Sequence, residues 1–434
     1  MSNRKRIWYE EAGRKLDPGL VEQLRVKRKQ DPYAISNTDD IPVIVYVNKN
    51  SDKAIRDDLL NTCQKDSRSK LDKDLRFHGT VGGKLTPQMI KQIKDHEAVD
   101  RIFYDREVTC FLDIASRQIG AVDVQEHHDF TGNGVTVAVI DTGIYPHADL
   151  TEPDNRIIAF KDFINDQNDP YDDNGHGTHC AGDAAGNASK SDGLYIAPAS
   201  EASVIGVKVL DKDGAGKLST IIEGITWCME HKEEYNIQII SLSLGAQAYE
   251  SYRDDPLAQV VQEAWHNGIV VCAAAGNNGP EQKTISTPAI NPFIITVGST
   301  SDQNTGTRSD DHIADYSSRG PTIDSLIKPD IYSPGTDIIS LLAPESELEQ
   351  QLPEQIVDEH YLQLSGTSMA TPICAGVIAQ MLEANPTLSP NDVKSILQTT
   401  SQPMLNDIWG YIEARTAVEM ALDYVNDHQQ RVAE

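Results

Sequence analysis

Three short segments carry residue types that can do covalent chemistry together. In Val139-Ile140-Asp141-Thr142-Gly143 an aspartate closes an apolar run. A carboxylate at the end of a buried strand is half withdrawn from water and needs a partner. In Asp173-Asn174-Gly175-His176-Gly177-Thr178-His179-Cys180 a histidine stands between glycines, where backbone can approach closely. In Ser365-Gly366-Thr367-Ser368-Met369-Ala370-Thr371-Pro372 a serine precedes the helical stretch ICAGVIAQMLEAN. A helix N-terminus leaves N–H groups unpaired and favours developing negative charge. Pro372 is expected within the first turn or so, where proline is tolerated. An aspartate, a histidine and a serine so placed supply an orienter, a base and a nucleophile.

Each segment alone also has a plainer reading. Asp-Thr-Gly occurs in aspartic proteases, but those need two facing aspartates, and only Asp141 is followed by Thr-Gly. His176 and His179 have HxxH spacing without a third ligand nearby, so zinc is not expected. A serine in a Gly-Thr-Ser turn is most often a helix cap.

The elements that must position these residues follow from the apolar pattern. From residue 133 onward, GVTVAVID, ASVIGVKVL, QIISLSLG, IVVCAAAG and FIITVGS read as continuous apolar strands. HGTHCAGDAAG, LSTIIEGITWCMEHKEE and DDPLAQVVQEAWHNG read as helices between them. This alternation predicts a mainly parallel sheet covered on both faces. Reacting groups then sit at the carboxyl ends of strands.

The chain divides near residue 112. Residues 1–40 form a polar, basic extension. Residues 41–112 predict a small α+β unit: the strand IPVIVYV, a helix over 52–64, and a strand around 75–79. The loop GTVGGKLT follows with a further strand near it, then a Thr-capped helix within 86–97 and a strand-like stretch over 99–113. That order fits a split βαβ unit with helices on one face. Residues 113–434 form the α/β domain that holds the three segments.

Composition narrows the function. The 434 residues hold 38 Lys+Arg against 66 Asp+Glu, a net charge of −28. Residues 1–30 hold 9 Lys/Arg and 4 Asp/Glu, whereas 111–434 hold 16 and 48. Phosphate repels so acidic a surface, so nucleic acid is not an expected partner. The plain reading of this imbalance is a solvated acidic surface; the alternative is a role in substrate preference or two units of complementary charge able to dock. No run of about 18 apolar residues suggests a membrane span, and the start lacks the apolar core of a secretory leader. Six cysteines lie far apart without metal-type spacing. The reading is a protein of the cytoplasm with reduced thiols, non-standard export being left open.

The stretches VAVIDTGI, DDNGHGTHCAG, AAAGNNGP and SGTSMATP occur in this order. Through them the sequence, over roughly 115–425, resembles the subtilisin-like serine proteases (subtilases). With its N-terminal part it is most similar to the intracellular AprX-type subtilases of bacilli. The resemblance implies a subtilisin-like three-layer α/β fold with a mainly parallel sheet between helices, preceded by a prodomain-like α+β unit. It implies serine endopeptidase activity with Asp141, His176 and Ser368 as the triad, self-processing near residues 105–116, and His179 in a structural role. Asn277, with the Ser368 backbone N–H, would hold the oxyanion, with Asn278 as the rival. Ser243, Leu244 and Gly245 would pair with substrate backbone along one side of the P1 pocket, and Ala274, Ala275 and Gly276 would form the other wall. Thr287-Pro288 matches a position often cis, and Ser286 stands where glycine is common, which predicts a shallower floor and a medium apolar P1 residue.

No cofactor is required for this chemistry. A structural calcium is an open expectation, since many relatives bind it and DFINDQNDPYDDN (162–174) offers oxygen ligands. The expected partners are peptide and protein substrates and the chain's own N-terminal unit. The run ESELEQQLPEQIVDEH (345–360) has six carboxylates and no Lys or Arg. Lying just before the nucleophile, it is expected to rim the cleft and to favour basic peptides, or else to be a solvated loop. Cys180 and Cys374 are expected as plain packing residues, the alternative being that either sits behind the triad. The alternatives to broad endoproteolysis are a restricted processing peptidase or exopeptidase of the same fold, and a catalytically silent binding scaffold.

Overall fold

The computed structural model describes residues 8–9, 12, 15–16, 20–21, 24–25, 40–48, 53–74, 81–104, 112–303, 305, 308–404 and 410–424. It divides into two compact units, Met1–Thr109 and Cys110–Glu434.

The first unit runs β1 (Ile41–Val47), α1 (Lys53–Cys63), β2 (Lys70–Asp74), β3 (Val81–Leu85), α2 (Pro87–Ile93) and β4 (Val99–Tyr104). The sheet order is β2-β3-β1-β4, and β1 pairs antiparallel with both β3 and β4. This is the expected split βαβ arrangement. Along β1 burial alternates, with Ile41, Val43, Val45 and Val47 inward. The side-chain period of two puts one face of the strand on the core. That core includes Leu59, Ile90, Ile93 and Ile102. Thr86 caps α2, its side chain accepting from Met89 N.

Three details differ from the sequence expectation. The second strand is 70–74, and the 75–79 stretch lies outside the described residues. The Gly-Gly segment expected in a loop is strand β3 itself. A Cβ on Gly83 would overlap the Lys70 backbone, so glycine lets β2 approach. Finally, β4 ends at Tyr104, 105–111 lie outside the described residues, and Leu112 opens helix α3 (Leu112–Gln118). Ala115 and Ile119, one helical turn apart, both enter the second unit's core.

The second unit is built on a parallel sheet. Its strands are β5 (Thr136–Asp141), β6 (Ile157–Asp162), β7 (Ser203–Lys208), β8 (Ile237–Leu242), β9 (Val270–Ala274), β10 (Ile295–Ser301), β11 (His312–Ile313) and β12 (Ile331–Pro334). The order is β11-β10-β9-β8-β5-β7-β6, with β12 paired to β10. Every pairing is parallel except β10–β11. All residues of β5, β9 and β10 are buried, as strands covered on both faces must be. The covering helices include α4 (His176–Ala185), α5 (Leu218–Glu230), α6 (Pro256–His266) and α7 (Thr367–Ala384). Helix α7 is buried on nearly every side from Thr367 to Leu382, the signature of a core helix rather than an amphipathic one. A small antiparallel sheet joins β13 (Ile338–Leu341), β14 (Ile356–Val357) and β15 (Tyr361–Leu364). Between β13 and β14 lies the short helix α8 (Glu347–Gln351).

Candidate active site

Asp141 is the last residue of β5 and is fully buried. Its Oδ1 accepts from Thr142 N at 2.8 Å and lies 2.7 Å from His176 Nδ1. Its Oδ2 has no hydrogen-bond partner among the described residues.

The turn that delivers His176 is folded around Asp172. Asp172 Oδ1 accepts from Thr142 Oγ1, Asn174 N and Gly175 N, and Oδ2 accepts from Thr178 N and Oγ1. Gly175, at φ 105, starts α4 in a conformation that glycine adopts freely. A Cβ on Gly177 would overlap the Gly143 carbonyl oxygen, so the second glycine lets α4 sit against the end of β5. His176 is 24% exposed at its side chain. Burial alone would depress its basicity, but the Asp141 carboxylate outweighs it and holds the imidazole well above its ordinary pKa of 6.5. With Nδ1 on Asp141, Nε2 is the nitrogen left for a reacting group.

Ser368 is the second residue of α7. Its Oγ donates to the Ser243 carbonyl at 3.1 Å, and its hydroxyl makes no hydrogen bond with His176, although both side chains line the same cleft. Pro372 is the sixth residue of α7, deeper than expected. Its missing N–H leaves the Ser368 carbonyl without the usual helical donor. Two side chains replace it: Ser243 Oγ at 2.7 Å and the Cys180 thiol at 3.5 Å.

Asn277 is held from α7. Its Oδ1 accepts from Thr367 N at 3.0 Å and Thr367 Oγ1 at 2.9 Å, which leaves Nδ2 as a free donor beside Gly366. Asn278 also lines the cleft, but its backbone N donates to Ser318 Oγ.

The cleft has a volume of about 560 Å³, and no Asp, Glu, Lys or Arg side chain lines it among the described residues. Ser243, Leu244, Gly245, Ala274 and Gly276 line it, as expected. Ala275 does not: it is fully buried, with its N donating to Val297 O and its carbonyl accepting from Ser286 N. Ser286 lines the cleft, and its Oγ occupies the space a Cβ on Gly276 would need. Thr287–Pro288 is cis. Sequence reasoning missed Leu210, the 214–216 loop, Leu218, Ile221, Leu257 and Leu348. These are apolar or small residues of ordinary type, and only the turn glycines of DKDGAGK hinted at a close approach.

The acidic 162–174 run fits calcium poorly. Asp162 accepts from three backbone N–H groups and from Tyr171 OH, Asp172 is committed as above, and Asp173 pairs with Lys208 Nζ at 2.6 Å. Carboxylates so occupied by protein donors are not an open oxygen cage. Both ring nitrogens of His179 have protein partners, Nδ1 at 3.0 Å from Asp183 Oδ2 and Nε2 at 2.9 Å from Leu362 O, so the HxxH pair presents no second open imidazole nitrogen. Cys180 Sγ lies 3.8 Å from His176 Nδ1 and 3.5 Å from the Ser368 carbonyl. Burial pushes its thiol up to about 11, so it is protonated at neutral pH and is no nucleophile.

A carboxylate-bound imidazole and a helix-borne serine line one cleft at the carboxyl end of a covered parallel sheet, the residue types that a serine hydrolase uses. Known proteins agree. The profile of the Subtilase family matches residues 132–418. The chain is 46% identical over 342 residues to Serine protease AprX of Bacillus subtilis, covering 77% of each. It is 30% identical over 358 residues to Subtilisin E of the same organism, covering 81% of this chain and 83% of that one. The solved structure of Sphericase superposes with a TM-score of 0.52 at 31% identity, over 66% of this chain and 91% of that chain. The chain therefore belongs to the subtilase family and is a subtilisin-like serine endopeptidase.

Proposed function

We propose that hydrolysis runs through Asp141, His176 and Ser368. Ser368 Oγ turns from the Ser243 carbonyl toward His176 Nε2, gives up its proton there and attacks the peptide carbonyl. His176 then protonates the leaving amine, and water attacks the acyl-enzyme by the same route in reverse. Asp141 keeps the proton on Nδ1 and stabilises the imidazolium. Asn277 Nδ2 and the Ser368 N–H hold the oxyanion. The observation that carries this reading is the 2.7 Å contact between Asp141 and His176, with the other face of the imidazole open to the cleft that Ser368 lines. The uncharged lining supports a broad preference with an apolar P1 residue between 243–245 and 274–276.

The same proposal extends to maturation. The N-terminal unit has its own core and is far less acidic than the rest, which suits an intramolecular prodomain cleaved off near residues 105–116. The enzyme would then act on peptides and proteins in the cytoplasm. No helix of the described residues is long and apolar enough to cross a membrane.

Mass spectrometry of the purified chain, with and without a fluorophosphonate, tests the core of this. The expected result is one adduct on Ser368 and a shortened active chain, with Ser368→Ala remaining full length. An unlabelled Ser368 in a chain that cleaves casein would refute the triad. A full-length active chain would refute self-processing alone.

A further inference from the structure

The acidic run before the nucleophile presents an apolar residue to the cleft. Of 345–360, only Leu348 lines it among the described residues. Its position is set by backbone: Glu347 N donates to Asp173 O and Leu348 N to Asn174 O, both at 3.0 Å. The run is thus fastened to the two residues that precede Gly175 and His176. Ser346, fully buried, caps α8 by accepting from Glu349 N. A Cβ on Gly175 would lie 2.9 Å from Ser346 Oγ and 3.5 Å from Leu348 Cβ. Leu348 therefore packs directly over the turn that carries the imidazole.

None of the run's six carboxylates lines the cleft among the described residues. Glu347 pairs with Lys212 at 3.4 Å, and the Lys212 carbonyl accepts from Asn174 Nδ2 at 2.9 Å. The 211–216 loop, which brings Leu210 and Gly214 to the cleft, meets α8 there. Leu210 and Leu348 therefore both bound the cleft, Leu348 beside the turn that carries His176.

We propose that Leu348 is a specificity-determining residue that selects an apolar side chain at one substrate position flanking P1. The proposal rests on the endopeptidase reading and deepens it. An apolar wall gains by removing apolar area from water and penalises a charged side chain that it cannot pair.

The test is a fluorogenic peptide library varied separately at P1, P2 and P1′, cleaved by the wild type and by Leu348→Ala, Leu348→Glu and Glu347→Gln. Leu348→Ala should lower kcat/KM for an apolar residue relative to glycine roughly tenfold, at P2 or at P1′ but not both, with the P1 profile unchanged. Leu348→Glu should shift that same position toward Lys and Arg, a change that mere loosening of the fold would not produce. Glu347→Gln should keep the wild-type profile. Unchanged profiles in both Leu348 variants overturn the proposal. So does a Glu347→Gln profile that matches Leu348→Ala, because charge would then be the selector. A wild type that cleaves no peptide at all overturns the endopeptidase reading beneath it.

Discussion

Ser243 and Ser368 hold each other by two hydrogen bonds running in opposite directions. Ser368 Oγ donates to the Ser243 carbonyl at 3.1 Å, and Ser243 Oγ donates to the Ser368 carbonyl at 2.7 Å. The second bond exists because Pro372 cannot supply the helical N–H to that carbonyl. A residue expected to bind substrate through its backbone thus also anchors the peptide unit of Ser368, the proposed nucleophile.

Ser243→Ala should therefore cost about 0.5–1.5 kcal/mol of stability, the net range for one hydrogen bond, because the Ser368 carbonyl keeps the Cys180 thiol at 3.5 Å. It should also lower kcat more than it raises KM. Denaturation measured in a Ser368→Ala background avoids self-digestion. Pro372→Ala restores a helical donor, so Ser243→Ala should cost less in that background. Additive losses would refute the compensation.

The pH dependence follows from the raised basicity of His176. The imidazole must be neutral to act as base, so kcat/KM should fall with decreasing pH through a midpoint above 6.5. A midpoint at or below 6.5 would contradict the Asp141–His176 pairing. By linkage, the pair's contribution to stability is full below pH 6.5 and is lost as pH rises through the folded-state value. Activity and this source of stability should therefore move in opposite directions with pH.

Asn277→Ala should lower kcat roughly 100- to 1000-fold with little change in KM, the range known for loss of such a donor in a subtilisin. The variant also removes the acceptor of Thr367 N and Oγ1, while the hydroxyl keeps its bond from Gly276 N. Thermal unfolding should therefore show a small loss beside the large kinetic one. A proportionate change in KM would mean that Asn277 binds the ground state.

Asp162→Asn should lower stability by about 1–3 kcal/mol, equally with calcium and with a chelator. Burial would raise this carboxyl's pKa, but the N–H groups of Asn165, Ile164 and Gln167 outweigh it and hold the value below 3.8. Its stabilisation is present above pH 3.8 and is lost as pH falls through the lowered folded-state value. A loss that calcium alone relieves would show that the 162–174 run binds the ion.

The catalytic candidates were legible because their chemistry demands local patterns. Asp141 must end an apolar strand, His176 needs glycines beside it, and Ser368 needs a helix start. The parallel sheet was legible because strands buried on both faces cannot alternate polar and apolar residues. What escaped was contact between distant segments. Ala275 was expected in a cleft wall, but the side-chain period of two turns it inward between Ala274 and Gly276. The glycines of β3 were read as a loop because their value to β2 depends on how closely that strand approaches.

Residue order by itself determined the alternation of elements, the identity of the candidate reactive groups and the sign of the surface charge, since these follow from local periodicity and composition. Only the tertiary structure decided which carbonyl Ser243 and Cys180 would satisfy, and which acidic side chains would be bound by the protein's own donors. It also decided that a leucine, rather than a carboxylate, would face the cleft from 345–360. Those outcomes depend on packing geometry between segments up to 188 positions apart, and spacing along a chain carries no information about angles and distances across a core.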